Sequence, residues 1–200
     1  MFQHSLVLEA KSLACERGGR LIFKDLSFTL GSGEVLELRG PNGSGKSSLL
    51  RLLAGLNQPA SGSINLNTTD SIAENAHYIG HSEAVKSALT VSENLHFWQS
   101  FLGGTGDASL QAFKLEKLSD DETRLLSQGQ RRRLALSRLV AVKRAIWLLD
   151  EPTVGLDQTA LADLTREMKA HLKSGGMIIA ATHGALGIKG SKQLQLAEAP

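Results

Sequence analysis

Gly40-Pro41-Asn42-Gly43-Ser44-Gly45-Lys46-Ser47 decides the fold of this chain. The stretch fits the spacing G-x-x-x-x-G-K-[ST], and its flanks agree with it. An apolar strand pattern, Glu34-Val35-Leu36-Glu37-Leu38, runs into the loop, and a helical pattern, Ser48-Leu49-Leu50-Arg51-Leu52-Leu53-Ala54, leads away. That strand–loop–helix context turns a short motif into a phosphate site. Glycines let the main chain wrap closely around an anion, and successive N–H groups point inward as a nest. The helix N-terminus adds partial positive charge beneath the same phosphates. Lys46 is expected to reach the β- and γ-phosphates of a nucleoside triphosphate, and the Ser47 hydroxyl to hold Mg²⁺, with Ser48 beside it in the nucleotide site. A glycine-rich turn without a ligand is the plain alternative, but every fixed position and both flanks argue against it.

Two hundred residues suit one large α/β domain, 1–200, and leave little room for a second independent core. Hydrophobic residues make up 42% and charged residues 21%, ordinary values for a globular chain. A net charge of +2 gives no electrostatic argument for a nucleic-acid partner. The single cysteine, Cys15, excludes an internal disulfide, fits a reducing compartment and reads as a small packed residue. Met1 to Ala10 lacks the basic start and apolar stretch of a signal peptide, and no apolar run approaches the ~18 residues that would span a bilayer. The expectation is a soluble, cytoplasmic protein.

Along the chain, Leu6–Ala10 and Leu21–Phe23 read as short strands around the turn Arg17-Gly18-Gly19-Arg20. Leu26–Leu30 alternates apolar with polar and breaks at Gly31-Ser32-Gly33. Glu37 and Arg39 make the strand before the phosphate loop more polar than a buried parallel strand should be. They face the same side, two residues apart, and are expected to pair with each other or with a neighbour. The region from about Glu83 to Ser137 reads mostly helical, interrupted at Gly103-Gly104-Thr105-Gly106-Asp107. Leu136, Leu139 and Val140 mark a buried stripe on a helix that Lys143 and Arg144 close. An apolar strand, Ala145–Leu149, follows, then a helix with Leu161, Leu164, Met168 and Leu172 on one face, ending at Ser174-Gly175-Gly176. Met177–Ala181 is another buried strand. Strands alternating with helices argue a mainly parallel sheet with its ligands at the strands' C-terminal ends.

Asp150 follows the apolar strand, where a carboxylate can hold Mg²⁺ through water. The adjacent Glu151 can polarise an attacking water while Asp150 stays with the metal. Leu126-Ser127-Gln128-Gly129-Gln130 stands about twenty residues earlier, ahead of a helix starting near Arg131. Ser127 can accept from a backbone N–H as an N-cap, and Gly129 lets the backbone approach an anion. Taken alone, the stretch is also simply a capped helix start.

These five residues resemble the signature motif of the ABC-type ATPases, L-S-G-G-Q, with Gln128 in place of the first glycine. The other family motifs stand around it. Gly40–Ser47 is similar to Walker A, Ile146–Asp150 to Walker B with Glu151 as base, Gly155-Leu156-Asp157 to the D-loop, and His183 after Thr182 to the switch histidine. The similarity runs from about Leu6 to His183. It implies a P-loop core of mainly parallel sheet, an antiparallel β subdomain, and a helical subdomain inserted at about 83–140. It also implies a mechanism one chain cannot complete: two ATPase domains pack head to tail and sandwich two ATP molecules. Ser127, Gly129 and Gln130 of one copy then meet the γ-phosphate held by Lys46 of the other. Asp157 supports that interface, and His183 contacts the γ-phosphate and orients the water.

Two positions depart from the family. Where an aromatic residue stacks on adenine, the hairpin carries Arg17, whose guanidinium plane can also stack on a base; a solvated turn residue is the alternative. Where a glutamine follows Tyr-Ile-x, Tyr78-Ile79-Gly80-His81 supplies His81, placing an imidazole near the metal-bound water. The stretch Ser82–Leu95 is expected to sense a partner subunit. These departures, together with Leu13–Arg17, Leu89–Leu95 and Leu126–Arg132, resemble the ATPase subunit of the cytochrome c maturation haem exporter. The resemblance implies ATP and Mg²⁺ as cofactors, integral membrane subunits as separate chains, and a peripheral place on the cytoplasmic face of the inner membrane. Arg131-Arg132-Arg133 spread around their helix without interleaved aromatics, which favours a solvated or interface role over RNA. An ATPase serving another exporter, a soluble ABC-type ATPase acting on nucleic acid or ribosomes, and a P-loop kinase are the rival readings. The last two fit the single P-loop and the signature motif less well.

Overall fold

The computed structural model describes residues 5–104, 109–184 and 186–197. The chain divides into two compact units, one formed by Met1–Gly80, Arg144–Pro152 and Ala170–Pro200, the other by His81–Lys143 and Thr153–Lys169.

The first unit contains two sheets. Strands β1 (Val7–Arg17), β2 (Arg20–Gly31) and β4 (Ser61–Leu66) form an antiparallel sheet in the order β2-β1-β4. Strands β3 (Val35–Arg39), β5 (Ala76–Ile79), β6 (Ile146–Asp150), β7 (Met177–Ala181) and β8 (Lys192–Gln195) form a wholly parallel sheet in the order β5-β6-β7-β3-β8. Helix α1 (Lys46–Leu53) follows β3, and the single-turn α2 (Ile72–Asn75) precedes β5. Every residue of β6 and β7 is buried, as expected for parallel strands covered on both faces. Leu49, Leu50 and Leu53 of α1 are fully buried and join Leu38, Ile146, Leu148 and Ile179 in the core. Each such side chain contributes about 2 kcal/mol relative to exposure.

The hairpin departs from the expectation of separate short strands. Leu21–Phe23 and Leu26–Leu30 belong to one strand, β2, and β1 runs 11 residues. Register shifts after Ala10, Leu13 and Cys15 let the ribbon bend without ending. Gly18 and Gly19 have φ of 57° and 74°, the mirror-image turn that matches strand twist in a two-residue hairpin. Cys15 is buried, and burial raises its thiol pKa against the lowering effect of a hydrogen bond with Ser48.

The second unit is helical: α3 (Val91–Leu102), α4 (Ser109–Ala112), two short 3₁₀ turns at Glu116–Leu118 and Thr123–Leu125, α5 (Gln128–Ala141), and most of α6 (Gln158–Lys173). Leu95, Ala141 and Val142 pack together, with Leu102 and Leu110 against them. Helix α3 starts eight residues later than the pattern from Glu83 suggested. The reason is the buried Asn94, whose amide accepts from the Lys86 N–H at 2.7 Å and donates to the carbonyls of Lys86, Leu89 and Thr90, holding that segment out of the helix. Gly103 ends α3 in the left-handed region; Thr105, Gly106 and Asp107 lie outside the described residues. Helix α5 begins at Gln128 rather than near Arg131, because Ser127 caps it. Leu136 and Leu139 are buried and Val140 is partly so.

Three expectations about single residues fail. Leu161 is 37% exposed; α6 buries the expected Leu164 and Met168 together with Ala160 in its place. Arg144 lies beyond the end of α5 and donates to the carbonyls of Ala73 and Ala76. Arg132 is buried, so the arginine triplet is not simply a solvated face; Arg131 donates to the Leu126 carbonyl and lies 3.7 Å from Glu83.

Candidate nucleotide and hydrolysis site

The phosphate loop is built around close main-chain approaches. Gly40 has φ 145°, and a Cβ there would lie 2.4 Å from the Leu196 carbonyl oxygen and 2.7 Å from Ser44 Oγ. Gly45 has φ 95°, and its Cβ would lie 2.6 Å from Ile22 of the hairpin. Neither position admits another residue without displacing its neighbours. Between them stand Pro41, Asn42 and Gly43, all exposed. Lys46 is buried and donates to the carbonyls of Gly40 at 2.8 Å and Pro41 at 2.9 Å, so its ammonium is folded back across the loop. Ser44 Oγ is buried without a hydrogen-bond partner. Gly45 begins α1 with no side-chain cap on the helix N–H groups.

An orphaned hydroxyl, an uncapped helix start and a lysine resting on neutral carbonyls all suit an anion. These features fit a triphosphate. Ser47, half-buried in the first turn of α1, and Asp150, buried at the end of β6, are oxygen donors of the kind Mg²⁺ prefers. Among the described residues no group of three or more His, Cys, Asp or Glu side chains could hold a metal ion alone. His81 is an exposed residue of the helical unit.

One residue past β6, Glu151 has φ 49°, the left-handed region that a non-glycine residue rarely adopts. Its N–H donates to the Ala181 carbonyl at 2.9 Å, which fixes the turn against the end of β7. His183 Nε2 lies 3.4 Å from Glu151 Oε1 and 3.1 Å from Asn42 Oδ1, so a proton on that nitrogen can serve either oxygen. Phosphate loop, carboxylate and imidazole therefore meet within one unit, although Asn42 and His183 are 141 positions apart. Arg17 is exposed at the hairpin end, opposite Arg20.

Ser127, Gly129, Gln130, Asp157 and His81 belong to the other unit. Ser127 Oγ accepts from the Gln130 N–H at 3.2 Å, and Gln130 Oε1 accepts from the Ser127 N–H at 2.7 Å, a reciprocal capping box. A Cβ on Gly129 would lie 3.2 Å from the Gly155 carbonyl oxygen. Asp157 Oδ1 accepts from the Ala160 N–H at 2.7 Å, so its carboxylate caps α6. Sequence reasoning missed this use of Asp157, although a carboxylate immediately before a helical run is a start signal. It also missed the bond network of Asn94 with Thr123, whose Oγ1 donates to the Lys86 carbonyl at 2.7 Å.

Residues 23–154 match the ABC transporter family. The chain is 51% identical over 187 residues to the cytochrome c biogenesis ATP-binding export protein CcmA of Nitrobacter winogradskyi, covering 90% of this chain and 94% of that protein. It is 50% identical over 187 residues to the protein of the same name from Rhodopseudomonas palustris, with the same coverage. A solved chain from Pyrococcus furiosus, assigned to the ABC transporter ATP-binding proteins, shares the fold with a TM-score of 0.81 at 23% identity, covering 95% of this chain and 97% of that one.

Proposed function

This chain belongs to the ABC transporter ATPase family, in its cytochrome c biogenesis export branch, and on that premise we propose that it powers haem export, or release of a haem-loaded chaperone, in c-type cytochrome maturation. The observation that carries the hydrolytic reading is the meeting of Glu151, His183 and Asn42 beside an uncapped helix start.

ATP binds with its phosphates on the loop N–H groups of Gly40–Ser47 and on Lys46, which exchanges neutral carbonyl partners for charged oxygens. Arg17 stacks on the base, and Ser48 lies at the edge of the site. Ser47 and Asp150 would hold Mg²⁺, which would neutralise charge on the phosphates. Glu151 takes the proton of the attacking water, and its unusual φ fixes the carboxylate's direction. His183 presents its Nε2 side to the water and the terminal phosphate. Ser127, Gly129 and Gln130 of a second copy close over that phosphate, and Asp157 supports the contact between copies. A second helix N-terminus offsets charge that one loop leaves uncompensated.

No helix among the described residues is long and apolar enough to cross a membrane, which supports integral subunits as separate chains and a peripheral position on the cytoplasmic face. The segment His81–Asn94 transmits the closing movement to those subunits. Nothing in the charge or the site calls for nucleic acid.

Glu151→Gln tests the reading. ATP affinity should remain, hydrolysis should fall about 10²–10⁴-fold, and an ATP-held dimer should accumulate in size-exclusion chromatography. Brisk turnover by this variant removes Glu151 from its role, and a strictly monomeric ATP complex removes the shared cage.

A further inference from the structure

We propose that Arg39 is a positioning residue for hydrolysis: it clamps the main chain at Thr182 and His183 and so sets the imidazole against Glu151. The inference rests on the ATPase reading above and explains why a buried central strand carries two charges.

Strand β3 lies between the wholly buried, apolar β7 and the polar edge strand β8. Glu37 is nonetheless 3% exposed in its middle. Its Oε1 accepts from Ser191 Oγ at 3.0 Å, and its Oε2 accepts from Arg39 Nε at 3.2 Å and from a second guanidinium nitrogen. The remaining nitrogen of Arg39 donates to the carbonyls of Thr182 at 3.3 Å and His183 at 2.8 Å. The β3–β7 ladder ends at this place, its last bond being the long one from the Thr182 N–H to the Leu38 carbonyl, 3.4 Å. Arg39 continues the attachment beyond the sheet. His183 then projects its ring to Glu151 and Asn42.

A buried ion pair is weak support for stability, because two apolar side chains of similar volume pack at least as well. Reaching across to two successive carbonyls is something an apolar pair cannot do. A planar guanidinium serves the carboxylate and the carbonyls together, and an ammonium lacks that fork. The polar partners on this route, from Ser191 through Glu37 and Arg39, converge on the main chain of Thr182 and His183. Displacement of a reacting group by about 1 Å is enough to slow a reaction substantially.

The test is a double-mutant cycle on the protein purified with its membrane partners, reading ATP turnover, KM and thermal unfolding. The variants are Arg39→Lys, which keeps a cation beside Glu37, and the paired Glu37→Leu/Arg39→Leu, which leaves no charge unpaired. Both are made with and without His183→Ala. The paired variant should keep its unfolding temperature and its KM for ATP within about twofold while kcat falls about tenfold, and Arg39→Lys should lie between. In the His183→Ala background the same changes should alter kcat by less than about twofold, because the residue they position is gone. Losses that multiply across the cycle, or an unchanged kcat in the paired variant, overturn the inference. Failure of the underlying reading shows elsewhere: the unsubstituted protein would not hydrolyse ATP, or His183→Ala alone would leave turnover intact, and either result overturns this inference too.

Discussion

Two helices carry the motifs to which the proposed function assigns the phosphates, and they begin in opposite ways. Helix α1 starts from Gly45, in the left-handed region and with no side chain to accept from its N–H groups. Helix α5 starts from Ser127, and the reciprocal bonds with Gln130 already satisfy its first donors. One helix end has no side-chain partner for its first donors; the other satisfies two of its donors locally. On the proposed function this difference sets an order of events. The α1 loop takes ATP alone, and Ser127 engages only when a phosphate held by another copy outcompetes its local cap, worth about 1 kcal/mol. A site divided in this way resists closing without nucleotide.

Removing the cation on the open side should have the largest effect. Lys46→Ala leaves the triphosphate without its principal positive partner, and truncating one side of a buried charge pair costs about 2–5 kcal/mol, roughly 30- to 5,000-fold in affinity. Titration with a fluorescent ATP analogue reads this directly. Binding within about threefold of the unsubstituted protein would mean that the helix end and the loop N–H groups suffice, and that Lys46 serves only the Gly40 and Pro41 carbonyls it bonds here.

What could be read from the sequence was whatever is local. The phosphate loop, the fully buried runs of β6 and β7, and the cap at Ser127 depend on residues within a few positions of one another. The mainly parallel core followed from the same signals, whereas the antiparallel sheet and the inserted helical unit followed from the family resemblance. Strand β8 was not legible: Lys192-Gln193-Leu194-Gln195 is polar, as an edge strand with charge against mispairing can be. Leu161 matched the helical period, yet Ala160 faces inward instead, because period alone does not fix which neighbour a stripe includes. Glu37 and Arg39 were visible as a pair. The grip of Arg39 on the His183 carbonyl, 144 positions away, required the sheet order.

Acid sharpens the contrast between the two units. In the first, His171 stacks on Trp147 with ring centroids 4.0 Å apart, and burial lowers its pKa from 6.5 to about 4 despite hydrogen bonds with the Met177 and Ala145 backbone. Between those values the unfolded chain binds a proton that the folded one refuses, so stability rises with pH across the window. It is lost as pH falls from 6.5 towards 4, by about 3 kcal/mol in total. In the helical unit the buried Arg138, lowered to about 10 by burial and by Arg132, stays charged throughout that range. Asp163 is held below its ordinary 3.8: burial raises it, but hydrogen bonds and charge from Lys114 and Arg166 prevail. Hydrogen exchange at pH 4.5 should therefore loosen Ile146–Asp150 and Met177–Ala181 before Gln128–Ala141. Equal loosening would assign the acid sensitivity elsewhere, and His171→Gln should flatten it.

The smallest effect separates the two helix ends most cleanly. Ser127→Ala removes the α5 cap and should cost about 1 kcal/mol, a drop of roughly 2–4 °C in Tm for a chain of this size. If Ser127 meets phosphate only across the pair of copies, the isolated chain should bind ATP as before, within about twofold, while turnover of the assembled transporter falls further than one lost cap predicts. The open end permits no matching experiment, since any side chain at Gly45 meets Ile22 and Phe23 and an unfavourable φ. A parallel loss of monomer binding and turnover would mean that the capped end touches nucleotide within one chain, and the proposed order of events would fail with it.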